Sequence, residues 1–158
     1  MAFAIRSSAF AQGGPIPTEF TCEGQKLSPE ISWSDVPEKA RALALIVDDP
    51  DAPDPDAPRR VFTHWVLYNI PPDAAGLREG ATPGLLPEGT RLGLNDFGEE
   101  GWGAPCPPRG RHRYFFKLYA LDEPLPDLGL PTKAELERAM QGHVLAEAEL
   151  VGTYAKAH

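Results

Sequence analysis

The chain has 158 residues and a mass of 17.2 kDa, with 42 % hydrophobic residues, which suits one domain (1–158) with a sizeable core. A net charge of -8 and a pI near 4.9 exclude the broad basic footprint that nucleic-acid binding needs. No window approaches the roughly 20 apolar residues of a membrane span. The first residues, Met1 to Arg6, lack the charged start and apolar core of a signal peptide. No stable membrane insertion and a cytoplasmic location are therefore expected.

Fifteen glycines and eighteen prolines, spread without a repeat, favour a β-rich domain with many turns. In chain order, Phe3–Ile5 and Ile31–Trp33 read as short strands. Alternation from Ala42 to Asp49 predicts a longer one, with Asp49 on the face of Leu43, Leu45 and Val47, and Asp48 on that of Ala44 and Ile46. The same period over Val61–Ile70 places Phe62, His64, Val66, Tyr68 and Ile70 on one face. In Arg111–Leu121, His112, Tyr114, Phe116, Leu118 and Ala120 point inward, with Arg113 and Lys117 opposite. Thr132 and Glu135 form a capping box that starts a helix over Lys133–Gln141, and Gly142 can close it. His143 falls on the stripe of Leu136 and Met140 and is expected to pack under this helix. A last strand covers Leu145–Tyr154.

Asp49, His64 and His112 each end an apolar strand face beside a Pro/Gly loop. If those ends converge, one carboxylate and two imidazoles share a partly dry cavity with coupled titrations. Histidine donors, with backbone N–H groups of Gly103, Ala104 and Cys106, would suit a phosphate or carboxylate. Pro105 and Pro107 add stiffness to that loop but no donor.

Other chemistries have weaker support. No G-x-S-x-G elbow is present. Cys106 beside His112 has the residue types of a thiol nucleophile, but it sits between prolines and away from any helix start. A metal site from His64, His112 and an aspartate lacks a local pair of ligands. Cys22 and Cys106, far apart in sequence, form neither a zinc spacing nor a disulfide framework, so free thiols are expected. His158 is a chain-end residue with no assigned role.

Two motifs carry a resemblance. The first runs Asp49-Pro50-Asp51-Ala52-Pro53, then Phe62-Thr63-His64-Trp65-Val66. The second runs Asn95-Asp96-Phe97-Gly98, Gly101-Trp102-Gly103-Ala104-Pro105-Cys106-Pro107-Pro108 and His112-Arg113-Tyr114. With Phe20-Thr21-Cys22-Glu23-Gly24 and Gly152-Thr153-Tyr154, nearly the whole chain resembles the phosphatidylethanolamine-binding protein family, in its bacterial and archaeal branch called Raf-kinase-inhibitor-like. The resemblance implies a mainly β fold: a two-sheet antiparallel β-sandwich with a C-terminal helix and long Pro/Gly-rich loops.

It also implies an anion pocket formed by Asp49, His64, the loop from Gly103 to Pro107, His112 and Tyr114. The implied ligand is phosphate, a carboxylate such as acetate, or a phospholipid headgroup. Family members are binders, or regulators of kinases or proteases, rather than enzymes; no cofactor or metal is implied, and a homodimer is. Pro53 is the candidate for a cis proline.

The chain departs from the family pattern where Asp54-Pro55-Asp56-Ala57-Pro58 repeats the five residues before it. Asp49 continues the apolar strand and is the better pocket residue, with Asp54 the alternative. Ala104 stands where many relatives have glycine. The expected reading is a non-enzymatic binder in which His64 and His112 donate to the anion, Asp49 orients a histidine, and Phe62 and Tyr114 wall the pocket. Regulation of a kinase or protease through the same pocket is the alternative, and metal-assisted hydrolysis comes third.

Overall fold

The computed structural model describes residues 2–156, so His158 lies outside the described residues. Eight strands form: β1 Ala4–Arg6, β2 Ile31–Ser34, β3 Ala42–Ala52, β4 Arg60–Ile70, β5 Gly76–Leu77, β6 Arg91–Leu92, β7 His112–Leu121 and β8 Val144–Tyr154. Among the described residues one α-helix, α1, spans Lys133–Met140. The strands make two antiparallel sheets, ordered β1-β2-β5 and β6-β4-β3-β7-β8. The fold is the expected mainly β arrangement of two sheets with a C-terminal helix.

β3 runs through the centre of the large sheet, and its residues are buried from Ala42 to Asp49. On one face Leu43, Leu45 and Val47 join Trp65, Leu67, Phe116 and Leu118 against Ile5, Ile31 and Trp33 of the small sheet. On the other, Ala44 and Ile46 pack with Val66 and Tyr68 beneath Leu136 and Met140 of α1. A strand covered on both faces must be apolar on both, which explains its unbroken hydrophobic run. Each fully buried Leu, Ile or Phe contributes roughly 1.5–3 kcal/mol.

α1 starts at the expected capping box: Glu135 N–H donates to Thr132 Oγ1 (3.2 Å), and Thr132 N–H to Glu135 Oε1 (2.9 Å). Lys133 Nζ lies 2.8 Å from the buried Asp48 carboxylate, which Lys117 also reaches at 3.1 Å, so the helix start is tied to β3. His143 does not pack under α1. Gly142, at φ 83°, turns the chain, and His143 instead pairs with Asp122 at 2.9 Å, its side chain 33 % exposed.

The expected alternation along β4 fails twice. Val47 pairs with Trp65 and Asp48 with Thr63, which leaves His64 as an extra residue without a partner on β3. Such a β-bulge re-aims the side chains beside it. Trp65 thus enters the inter-sheet core although strict period two sets it opposite Phe62. A second shift, between Leu43 and Leu45, surrounds Asn69, at φ 55°. It sends Ile70 to the inter-sheet core, while Val66 and Tyr68 face the helix.

Cys22 and Cys106 form a disulfide, with Cα atoms 5.4 Å apart, which overturns the expectation of free thiols. Folding lays the loop after Phe20 against the loop before β7, where Cys22 N–H donates to Pro105 O at 3.1 Å and Trp102 Nε1–H to Phe20 O at 3.1 Å. The 84-residue separation hid this proximity. The same bond leaves Cys106 no thiol with which to act as a nucleophile.

Candidate functional site

The three strand ends converge. A cavity of about 420 Å³ is lined by Asp49 from β3, Phe62 and His64 from β4, and His112 and Tyr114 from β7, with Cys106 and Pro107 from the preceding loop. Gly103, Ala104 and Pro105 are not among its lining residues. Gly103 N–H is not a free donor, because it donates to His64 O at 2.8 Å. Gly103 matters for its missing side chain instead. A Cβ there would come within 2.6 Å of the Phe97 ring, so glycine lets that ring close over the loop.

Asp49 ends the buried run of β3 and lies 3 % exposed. Its Oδ1 accepts from Asp51 N–H at 2.7 Å, and its Oδ2 lies 2.5 Å from His112 Nδ1. Burial pushes the Asp49 carboxyl above its usual range, although the His112 hydrogen bond pulls the other way. His112 Nε2 lies 2.8 Å from Arg109 O and 3.1 Å from Pro53 O. Carbonyls only accept, so Nε2 carries a hydrogen committed to them. Neither nitrogen of His112 is left to donate to a ligand, which corrects its expected role; this ring positions Asp49 and the two loops.

The Ala52–Pro53 peptide is cis. Asp51 beyond Asp49 is gripped by Arg113 at 2.9 Å from both Nε and Nη2, and the guanidinium holds its carboxyl below the usual range. The repeated pentapeptide copies the local turn but not the site. Asp54 Oδ1 accepts from Asp56 N–H at 2.9 Å, as Asp49 does from Asp51, yet Asp54 lies in a separate surface depression. Only the first copy has a strand to carry its aspartate inward.

His64 is 3 % exposed, with Nδ1 2.6 Å from Gly103 O. Burial pushes its pKa down to about 4, so the ring is neutral near pH 7. Its ring packs edge-on to Tyr114, 5.2 Å between centroids. The Tyr114 hydroxyl has no hydrogen-bond partner among the described residues, and burial, with Asp49 and Asp51 nearby, keeps it protonated well beyond neutral pH.

Six further lining residues were not among the expected pocket residues: Ala52, Pro53, Arg59, Arg60, Phe97 and Pro108. Arg60 pairs with Asp96 at 3.1 Å and lies over the Phe62 ring, whereas the exposed Arg59 side chain has no partner among the described residues. The Arg59-Arg60 pair at the start of the histidine strand was a readable signal. Phe97 reaches the mouth because Asn95 caps its loop, Oδ1 accepting from Phe97 and Glu99 N–H and Nδ2 donating to Gly101 O. Among the described residues, His64, His112 and an aspartate do not converge as metal ligands; the group that does is Asp122, Glu123 and His143, at the surface.

A β-sandwich with a His/Asp pocket at one sheet end is the class these features define. The sequence profile of the phosphatidylethanolamine-binding proteins matches residues 6–155. A UPF0098 protein of Methanothermobacter thermautotrophicus is 49 % identical over 153 residues, covering 96 % of this chain and 98 % of that one. A crystal structure described as a phosphatidylethanolamine-binding protein homologue, from Chlamydia trachomatis, superposes with a TM-score of 0.91 at 45 % identity and 99 % coverage of both chains. YbcL of Escherichia coli, described as a member of the mammalian family, gives 0.89 at 33 % identity over 99 % of this chain and all of its own. The chain belongs to the phosphatidylethanolamine-binding protein family. A carboxypeptidase Y inhibitor, 18 % identical with a TM-score of 0.57, shares the fold alone.

Proposed function

We propose that residues 1–158 act as one domain that binds a small anion, a phosphate or carboxylate or the phosphate of a lipid headgroup, in the pocket between the ends of β3, β4 and β7. One observation carries the reading: a largely apolar cavity of about 420 Å³ lined by Tyr114 and by the exposed Arg59, whose hydroxyl and guanidinium have no hydrogen-bond partner among the described residues. An arginine at the rim attracts anions, and a hydroxyl in a dry cavity is a strong donor. The volume exceeds a bare ion and lies in the range of small organic ligands, roughly 300–1,000 Å³.

The test is a phosphate titration followed by amide spectra of the labelled protein. Saturable shifts at Asp49, Arg59, His64, His112 and Tyr114 support the reading; shifts scattered over the surface, or none, refute it.

A protein partner at the same mouth is the second reading, and the 49 % exposed Phe97 ring favours it. A complex that phosphate displaces would place the partner there. Among the described residues no helix is long and apolar enough to cross a membrane. A cytoplasmic location requires the disulfide to persist there, which outside hyperthermophiles is uncommon. Homodimerisation is tested by sedimentation.

A further inference from the structure

One wall of the pocket is poor in hydrogen bonds because of its own sequence. Its ends are fixed by the two histidines: Gly103 exchanges two hydrogen bonds with His64, and Arg109 O accepts from His112 Nε2. Between them run Ala104, Pro105, Cys106, Pro107 and Pro108, and the three prolines have no N–H to donate. Among the described residues this stretch makes one hydrogen bond, accepted by Pro105 O from Cys22 N–H at 3.1 Å. The other tie is the Cys22–Cys106 disulfide, so both ties end on the same residue.

Cys22 stands on a firm anchor. Thr21 N–H and Oγ1 both donate to Thr18 O, Gly24 N–H donates to Thr21 O, and the Tyr154 hydroxyl donates to the Glu23 carboxylate. These bonds do not depend on the S–S bridge, whereas the wall without it keeps a single hydrogen bond between its ends. Cys106, Pro107 and Pro108 line the cavity, so freedom gained by the wall is freedom of the pocket. Ordering that span then falls to the ligand, at a cost in conformational entropy that weakens binding.

Cys106 is exposed and Cys22 half-buried, so the bridge lies at the surface, where an exchanging thiolate can approach it. Resting on the anion-pocket reading, we propose that the Cys22–Cys106 disulfide is a reducible clasp on this wall, through which a dithiol reductant weakens anion binding. One thiolate of the dithiol attacks Cys106 Sγ, the S–S bond breaks, and Cys22 leaves as a thiolate that takes up a proton. The second thiol of the reductant then attacks the mixed disulfide and releases Cys106. Two electrons and two protons pass to the protein, and the dithiol ends as a disulfide. By linkage, an anion that prefers the oxidised form makes the bridge harder to reduce by the same factor.

The experiment titrates inorganic phosphate calorimetrically into the oxidised wild type and into the wild type reduced with dithiothreitol, an uncharged dithiol that does not compete for an anion site. A third titration uses Cys22→Ala, which opens the bridge but keeps the pocket-lining Cys106. Affinity is expected to fall about tenfold on reduction and in Cys22→Ala, and to return when the reduced wild type is reoxidised. Amide shifts on reduction should be confined to residues 21–24 and 102–109. Saturating phosphate should lower the equilibrium constant for reduction by dithiothreitol by the same factor as the loss of affinity. Equal affinity of the oxidised and reduced wild type, or amide changes spread across both sheets, overturns the clasp and leaves the anion pocket standing. No saturable binding to the oxidised protein overturns the pocket reading, and the clasp with it.

Discussion

His112 is bonded to Asp49 across the ends of β7 and β3, with Nδ1 2.5 Å from Oδ2, and both side chains are nearly sealed from solvent. The pair contains one carboxyl and one imidazole and shares the hydrogen between them. It fixes the two strand ends and, through His112 Nε2, the loops at Pro53 and Arg109. The pair thereby holds the shape of the pocket.

His112→Ala is therefore expected to destabilise the fold. It strands Asp49 Oδ2 and two carbonyls, and an unsatisfied buried polar group costs about 1–3 kcal/mol, more for a charged one. Urea unfolding should show a midpoint shift with an unchanged slope. A variant of wild-type stability would mean that the pair is dispensable.

His64 gives the pH dependence a definite sign. Its folded pKa of about 4 lies below the ordinary 6.5, so protonation favours the unfolded chain. The stability this residue confers is fully present above pH 6.5 and falls between there and about pH 4, by about 3 kcal/mol in all. Asp49, raised by burial, acts in the opposite sense on acidification. The check is the difference between wild type and His64→Gln: unfolding free energies should converge across that window, and parallel curves would disprove it.

Alkylation of the native, unreduced protein should label no thiol, since both cysteines of the chain are in the disulfide. Replacing both by serine should cost about 2–5 kcal/mol and weaken phosphate binding, because Cys106 also lines the pocket. Rapid labelling before reduction would contradict the bond.

Arg59→Ala should separate binding from folding. The side chain is exposed and makes no internal bond among the described residues, so stability should stay within about 0.5 kcal/mol. Phosphate affinity should fall several-fold and lose part of its salt dependence. Unchanged affinity would remove Arg59 from the site.

The sequence made the central strands legible because β3 and β7 are long, regular and covered on at least one face. Asp49 and His112 could be placed on their faces for that reason. β4 misled, since a bulge such as that at His64 depends on the register of its partner strand, and its own residues do not announce it. The disulfide was invisible for a related reason: its two loops are 84 residues apart in sequence and only the tertiary fold lays them side by side. Phe97 stands within a legible motif, but its position at the mouth rests on Asn95 and on the space that Gly103 leaves.

The most direct test of the account is calorimetric titration of phosphate into the wild type and Tyr114→Phe, which removes one hydroxyl and keeps the ring. Saturable binding in the wild type that weakens about tenfold in the variant, the equivalent of about 1.4 kcal/mol, is the predicted result. Equal affinity in both proteins, or no saturable heat in the wild type, would contradict an anion held in this pocket.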